Sequence, residues 1–362
     1  MGPLSGFRII EMKGIGPGPY AGMVLADLGA EVIVVERSSQ PGPLAPPSKM
    51  DVCSRGKKSI VLDLKTESGL DSLLDLVESA HGLFEGFRPG VAERLGFGPE
   101  VCLARNPALV YGRMTGWGQT GPLAHSAGHD LNYISLTGAA AAIGTADAPV
   151  PPLNLVGDFA AGSLFLVIGM LSALLEASKS GQGQVIDAAI TDGSAHLMSV
   201  FYTLDKLGVW SPQRGVNVLD GGSPYYRAYE TEDGFFVSVA AIEPHFFAKL
   251  IEITELPTAW TEKQNDVNSW PELGRVLQES FLTKSRDEWV ALFEGTDACV
   301  AGVLSYREAA MHPHNQARRT YIETAGGYQP APAPRFSRTV CAIPDGGPSE
   351  GQDTESVLSK LG

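Results

Sequence analysis

Five short runs of β-branched and aromatic residues, most of them separated by helical patterns, fill the first third of the chain. The runs cover residues 7–11, 31–37, 59–64, 82–87 and 108–113. Strand-like runs separated by helix-length segments are typical of βαβ units, in which consecutive strands are parallel and helices cover both faces of the sheet. The alternation therefore predicts an α/β fold with a mainly parallel, Rossmann-like sheet.

The pattern changes after a sixth predicted strand at 184–190. Before that strand, a long helix is predicted from Asp158 to about residue 178, with Asp158 near its N-cap. Beyond it, runs at 226–230 and 235–240 flank a turn rich in Gly and Asp, which predicts a hairpin. Helical patterns follow the hairpin, so we expect a second, smaller α+β domain.

Composition excludes several function classes. The chain has 362 residues and a net charge of −14, which disfavours nucleic acid as a partner. No uninterrupted apolar run reaches membrane-spanning length and the N-terminus does not resemble a signal peptide, so we expect no membrane insertion and a cytoplasmic location. The four scattered cysteines form no metal-ligating or disulfide pattern, and we expect no metal.

Two features suggest a phosphorylated nucleotide ligand. The glycine- and proline-rich segment 14–19 follows the first strand, where doubly wound folds approach nucleotides, although its prolines break the GxGxxG pattern. Taken alone, such a segment is more often a stiff turn that begins a helix. Arg37 ends the second strand, where an arginine suits a ribose phosphate. Arg55, Arg88 and Arg94 add cations at strand ends, although each alone is more often a solvated surface charge.

His129 and Asp158 are candidate proton carriers. They lie 29 positions apart, and each follows a glycine at a predicted helix start. A histidine and a carboxylate on opposite sides of one carbon atom can remove a proton and return it to the other face. Each alone is more often structural, as a buried histidine or an N-cap. Free backbone N–H groups at the predicted start of the Asp158 helix are candidates for holding an oxyanion.

Three further residues are candidate helpers. Tyr133 is four positions after His129, on the same helical face, and Asn154 is four positions before Asp158. Glu243 closes a predicted strand of the smaller domain, from which an acid can orient a histidine across an interface. Its structural interpretation is an acid in the first turn of a helix beside Pro244.

These motifs carry a resemblance. The chain resembles the family III CoA-transferases over nearly its full length and, within them, the α-methylacyl-CoA racemases. The resemblance rests on segments 14–19, 55–59, 116–122, 128–133, 152–159, 219–226 and 241–244.

The resemblance implies an interlocked homodimer with an acyl-CoA substrate and no cofactor. It implies a large domain at 1–205, to which segment 315–362 returns, a small domain at 222–310, and linkers at 206–221 and 311–320. The active site would lie between the large domain of one subunit and the small domain of the other. It further implies His129 and Asp158 as the acid/base pair and Glu243 as the supporting acid. The implied CoA-binding positions are Ile15, Arg37, Arg55, Gly86, Arg88, Arg94 and Gly118.

The function expected is therefore an isomerase of lipid metabolism that interconverts (2R)- and (2S)-2-methylacyl-CoA through an enolate. One alternative is a CoA-transferase with Asp158 as the nucleophile. Another is a CoA-binding subunit without catalysis. An NAD-dependent enzyme is disfavoured by Arg37 and by the missing GxGxxG.

Overall fold

A computed structural model describes residues 2–38, 50–324, 326–342 and 346–361. The chain divides into two compact units, the first formed by residues 1–137, 152–198 and 313–362, and the second by residues 138–151 and 199–312. These boundaries differ from those expected, because segments 138–151 and 199–312 belong to the second unit. Arg214 explains part of the difference, since its guanidinium donates to the carbonyl oxygens of Thr145 (2.9 Å) and Ala141 (2.8 Å).

Strands and helices are numbered along the chain. The strands are β1 (Arg8–Met12), β2 (Glu31–Glu36), β3 (Lys58–Val61), β4 (Gly82–Glu85), β5 (Val110–Thr115), β6 (Val185–Ala189), β7 (Tyr226–Glu230), β8 (Phe236–Ala240), β9 (Val300–Gly302), β10 (Tyr321–Thr324) and β11 (Gly327–Pro330). The helices are α1 (Pro17–Asp27), α2 (Glu67–Glu78), α3 (Val91–Arg94), α4 (Pro99–Arg105), α5 (Asp130–Ser135), α6 (Ala139–Ala142), α7 (Leu164–Ser180), α8 (Ile190–Leu197), α9 (Ser199–Lys206), α10 (Pro244–Ile253), α11 (Trp270–Phe281), α12 (Arg286–Phe293), α13 (Tyr306–Met311), α14 (Pro313–Arg318) and α15 (Thr354–Leu358).

The first unit is built on a six-stranded sheet with the order β3-β2-β1-β4-β5-β6. All of its neighbouring strands pair in parallel, which confirms the predicted α/β sheet. The strand order reverses between β1 and β4, and open α/β sheets bind ligands outside the carboxyl ends of the strands at such a point. A ligand site is therefore expected at the turns after β1 and β4.

Apolar side chains cover both faces of this sheet. Ile9 and Ile10 are fully buried on β1 and belong to two different core clusters, as expected when successive side chains of a strand point to opposite faces. On one face, Leu166 and Met170 of α7 approach so closely that a methyl group at Gly112 of β5 would lie 2.9 Å from each. Helix α7 thus packs tightly against the sheet.

The predicted helix from Asp158 is wrong at its start. The helical path begins at Leu155 as a π-helix that runs to Ser163 and continues as α7. Asp158 therefore lies inside the first turn of a π-helix and is not an N-cap. Within this wider turn, the backbone N–H of Asp158 is bonded to a side chain outside the helix, described below.

Residues 155–180 are also long and apolar enough to span a membrane, by length and composition alone. The sequence has no charged side chain between Asp158 and Glu176, so the absence of a spanning helix expected from the sequence does not hold on length and composition. Several side chains of residues 155–180 lie in the core of the first unit, among them Leu166, Met170 and Leu174. A core helix of this kind passes the same length and composition test as a membrane span.

The second unit contains the antiparallel sheet β7-β8-β9. The predicted hairpin corresponds to β7 and β8, whereas the three-residue strand β9 was not predicted. Helices α10, α11 and α12 bury Phe247, Leu277 and Trp289 in a core of their own.

The C-terminal segment from residue 313 lies in the first unit. The side chains of Asp353 and Thr354 accept hydrogen bonds from the backbone N–H groups of Ser59 and Val61, at 3.0 and 3.1 Å. The C-terminal segment also forms the hairpin β10–β11. This hairpin was not predicted, because the prolines of the segment favour irregular structure. The segment therefore covers the edge strand β3 of the large sheet.

Candidate active site

The two predicted proton carriers are linked through Asp130. His129 is the N-cap of α5, and its backbone N–H donates to the side-chain oxygen of Asn132 at 3.1 Å. Asp130 is the next residue, and its Oδ2 accepts a hydrogen bond of 2.6 Å from the backbone N–H of Asp158. A helix start and a π-helical turn that are far apart in sequence are thereby held together.

A glycine makes this contact possible. A methyl group at Gly157 would lie 2.3 Å from Oδ2 of Asp130, which is closer than real side chains approach. Only a residue without Cβ allows the carboxylate to reach the Asp158 peptide. The glycine before Asp158, seen in the sequence as part of a motif, thus has a steric reason.

The turn after β1 lies against the carboxylate of Asp158. Gly16 has a φ of 68°, and a methyl group there would lie 3.2 Å from Oδ2 of Asp158. The hydroxyl of Ser163 lies 2.7 Å from the carbonyl oxygen of Pro17 and 2.9 Å from that of Asp158, so it can donate to either. The predicted nucleotide turn and the predicted proton carrier therefore form one site at the point where the strand order reverses.

The environment of Asp158 favours its protonated form. Partial burial raises the pKa of this carboxyl above its usual range, and the negative charge of Asp130 raises it further. The amide of Asn154 and the charge of His129 act in the opposite direction. The amide Nδ2 of Asn154 lies 3.5 Å from Oδ2 of Asp158, which makes it a weak orienting contact. A carboxyl with a raised pKa can hold a proton nearer to neutral pH and return it.

Tyr133 orients the backbone rather than the imidazole. Its hydroxyl donates to the carbonyl oxygen of Gly128, directly before His129. Its ring stands edge-on to Trp117, with ring centroids 4.8 Å apart. Burial and the charge of Asp158 raise the pKa of Tyr133. The predicted helper therefore fixes the approach of the chain to His129.

Two of the backbone N–H groups beside Asp158 are not available as the predicted oxyanion donors. The N–H of Asp158 is bonded to Asp130, and the N–H of Phe159 donates to the carbonyl oxygen of Asn154 at 3.2 Å. Neither group is free to stabilise an enolate oxygen.

The predicted CoA-binding residues differ in their exposure to solvent. Arg37, Arg88 and Arg94 are exposed after β2, after β4 and at the end of α3. Ile15 is 83% exposed in the turn after β1, so its side chain is available to a ligand. Gly86 is exposed directly after β4.

Gly118 is buried and lies in the loop after β5. Its N–H donates to the hydroxyl of Thr115 at 3.0 Å, and the next N–H, that of Gln119, donates to Asp187 at 2.9 Å. The glycine-rich loop 116–122 is therefore fixed to the ends of β5 and β6.

Arg55 does not have the exposure of the other arginines. Its guanidinium is 2% exposed, donates twice to Asp27 at 3.0 and 2.5 Å, and donates to the carbonyl oxygen of Pro330 at 2.6 Å. This geometry supports a structural ion pair, and the predicted contact with CoA has no support from it.

Glu243 lies in the second unit. It is exposed and is the N-cap residue of α10, where its side chain makes no capping hydrogen bond. His129 and Asp158 lie in the first unit, and the supporting role of Glu243 stays a prediction.

Sequence reasoning missed several residues that build the site. Asp130 was part of a motif but received no role, and Ser163 was not considered. Lys57 was treated as part of a basic stretch, yet its ammonium is buried and donates to Glu11 (2.6 Å) and to the carbonyl oxygen of Pro19 (2.8 Å). No local pattern indicates these long-range contacts. Within the described residues, no group of three or more His, Cys, Asp or Glu side chains could hold a metal ion.

The chain is similar to known proteins over nearly its whole length. The sequence matches CoA-transferase family III over residues 4–354. The chain belongs to this family. It is 43% identical over 364 residues to the alpha-methylacyl-CoA racemase of Mus musculus, covering 99% of this chain and 93% of the relative. The human protein of the same name is 41% identical over 365 residues, with the same coverage.

More distant members of the family differ in name. A succinyl-CoA–D-citramalate CoA-transferase from Chloroflexus aurantiacus is 29% identical and covers 99% of this chain and 94% of the relative. Among solved structures, a CaiB/BaiF family protein from Brucella suis matches with a TM-score of 0.84 and 26% identity over 100% of both chains. The fold is thus shared by members with different activities, and the site has to decide between them.

Proposed function

We propose that this protein is an isomerase that interconverts (2R)- and (2S)-2-methylacyl-CoA thioesters by 1,1-proton transfer. The proposal rests on the hydrogen bond from the Asp158 backbone to Asp130, which holds Asp158 near the helix start at His129, and on the raised pKa of Asp158. The two mammalian relatives named as racemases support the same activity.

The proton transfer uses two groups with different protonation states. In one direction, ionised Asp158 removes the α-proton, the electron pair moves into an enolate, and protonated His129 delivers its proton to the opposite face. In the other direction, neutral His129 removes the proton and protonated Asp158 returns one. Each turnover moves one proton on and one proton off the same carbon atom, so no redox or metal cofactor is proposed.

The CoA moiety is proposed to lie along the carboxyl ends of β1, β2 and β4. Exposed Arg37, Arg88 and Arg94 offer unburied guanidinium groups to its phosphates, and the exposed side chain of Ile15 offers an apolar contact. Gly86 and Gly118 are proposed to allow the ligand to approach main-chain groups.

A homodimer with interlocked chains is proposed to complete the site. Leu164, Ile168 and Leu175 of α7 lie on one helical face and are 39%, 57% and 60% exposed, which supports burial against a second copy. Glu243 of the second copy would support His129. Refolding a mixture of His129→Ala and Glu243→Ala chains would restore part of the wild-type activity if the site is shared. Recovery no greater than the better single variant would reject the shared site.

The protein is proposed to act in lipid metabolism in the cytoplasm. Its four cysteines are free thiols, which suits a reducing compartment. Cell fractionation with an antibody to the native protein tests this location directly.

The activity is tested by incubating each enantiomer of a 2-methylacyl-CoA in deuterated water. We expect both enantiomers to form a mixture and to gain deuterium at the α-carbon. His129→Ala and Asp158→Ala are each expected to lose about 10²–10⁴-fold in rate. Transfer of CoA to a free carboxylate without α-exchange would refute the proposal and favour a CoA-transferase with Asp158 as the nucleophile.

A further inference from the structure

Asp130 is a buried residue that follows His129 in the chain and contacts the Asp158 backbone, and the proposed reaction gives it no role. Its side chain is 8% exposed, and Oδ1 has no hydrogen-bond partner among the described residues. The orientation of the carboxylate is therefore set by the bond from Oδ2 to the N–H of Asp158 and by the close approach of Gly157. A buried carboxylate with an unused oxygen beside a second carboxylate is costly and calls for a functional reason.

We propose that Asp130 is a positioning residue for both proton carriers. Its main chain begins the helix that His129 caps, and its side chain holds the Asp158 peptide. A change in the Asp130 side chain therefore moves Asp158 relative to His129. The inference rests on the proposed function, because it assigns Asp130 to the same proton transfer.

The charge of Asp130 has a second effect on the same residue. Beside Asp130, the titratable groups that act on Asp158 within the described residues are His129 and the hydroxyl of Tyr133. Asp130 is the negative one, so it favours the protonated form of Asp158. It keeps a proton available for the direction in which Asp158 is the acid.

Two substitutions separate position from charge. Asp130→Asn keeps an oxygen that can accept the Asp158 N–H but removes the charge. Asp130→Ala removes both and leaves that N–H without its acceptor. Asp63→Asn is the matched control, because Oδ1 of exposed Asp63 also accepts a backbone N–H, that of Lys65, at 3.0 Å.

The first readout is steady-state racemisation as a function of pH. Asp130→Ala is expected to lose on the order of 10²-fold in kcat with little change in KM, because misplacement of a reacting group by about 1 Å has that effect. Asp130→Asn is expected to recover much of the lost rate and to move the acidic limb of the pH profile to lower pH. The Asp63→Asn protein should behave as wild type.

The second readout needs no turnover. Aspartate labelled with ¹³C at Cγ is titrated by NMR in the full-length protein, and the Asp158 signal is assigned by its loss in Asp158→Asn. Asp158 should titrate at lower pH in Asp130→Asn than in wild type. An unchanged titration, or a wild-type kcat in Asp130→Ala, would overturn the proposal. If Asp130→Ala does not fold, the Asp130→Asn titration decides. If wild type shows no α-exchange, the proposed function fails while this titration still tests Asp130.

Discussion

Two groups of acidic side chains in the first unit differ in whether a cation is paired with them. In the scaffold, Asp27 and Glu11 are buried against cations, with Asp27 2.5 Å from Arg55 and Glu11 2.6 Å from Lys57. At the candidate site, the ion pairs of the described residues include neither Asp130 nor Asp158. Asp27 and Glu11 are each paired with one cation, whereas Asp158 lies beside a second acid that favours its protonated form.

A raised pKa alone does not separate the two groups. Burial raises the pKa of Glu11 and of Glu85 as well as that of Asp158. Glu11 and Glu85 are 1% and 0% exposed, so no substrate reaches them. What distinguishes Asp158 is partial exposure, a histidine nearby and the absence of a paired cation among the described contacts. The function follows from this combination.

The comparison predicts that removing a scaffold cation destabilises the protein most. Lys57→Met should lower the free energy of unfolding by about 3–5 kcal/mol, because Glu11 is then left buried without its partner. Lys58→Met is the matched control: its ion pair with Glu31 is partly exposed, and its loss should change that free energy by less than about 1 kcal/mol. Urea unfolding of both variants measures the difference. Equal losses of unfolding free energy in the two variants would show that burial does not set the contribution of the Lys57–Glu11 pair to stability.

Glu85 makes the scaffold sensitive to pH. Its pKa is raised to about 7 by burial, despite Arg113 at 3.2 Å. The stability that this proton contributes is complete below the unfolded value near 4.5 and is lost as the pH rises through about 7. The stability of wild type relative to Glu85→Gln should therefore fall by about 3 kcal/mol between pH 4.5 and pH 8.

Glu93 is the control for this effect. It shares Arg113 with Glu85, but its side chain is 44% exposed and its pKa is lowered. Relative to Glu93→Gln, the stability of wild type should change in the opposite direction, falling as the pH is lowered, and by a smaller amount. If the stability of wild type relative to Glu85→Gln changed with pH as it does relative to Glu93→Gln, burial would not be the cause of the raised pKa of Glu85.

The arginines also fall into two groups, and those exposed after β2, after β4 and at the end of α3 are expected to bind the ligand. Arg94→Met should raise the KM for acyl-CoA about 10-fold or more while leaving kcat nearly unchanged, because a charge-assisted bond to phosphate is lost. Arg105→Met removes an exposed arginine that pairs with Glu78 at 2.9 Å and should leave KM unchanged. Steady-state kinetics with both variants tests the division.

Periodicity in the sequence was enough to predict the sheet. Buried strands such as β1 and β2 are short continuous apolar runs, and helices separate them, so the parallel order follows from local patterns. The turn 14–19 could be assigned to the site for the same reason, since it follows the first strand of a doubly wound fold.

The details of the site depended on contacts that no local pattern carries. Arg55 at a strand end resembles a ligand-binding cation, and only the fold brings Asp27 against it. Asp158 resembles an N-cap, whereas in the fold it lies inside a π-helical turn with its backbone N–H bonded to Asp130. Both errors arose where a tertiary partner overrides a local preference.

The ionised form of Asp158, which the proposed proton transfer needs, lowers the stability of the folded protein. The most direct test is the free energy of unfolding of Asp158→Asn at pH 8, measured beside its α-deuterium exchange. Because the pKa of Asp158 is raised, its ionised form is disfavoured in the folded protein at that pH. Asp158→Asn should therefore unfold with a higher free energy than wild type, while α-deuterium exchange should be lost. A variant that is less stable than wild type, or that still exchanges the α-proton, would contradict it.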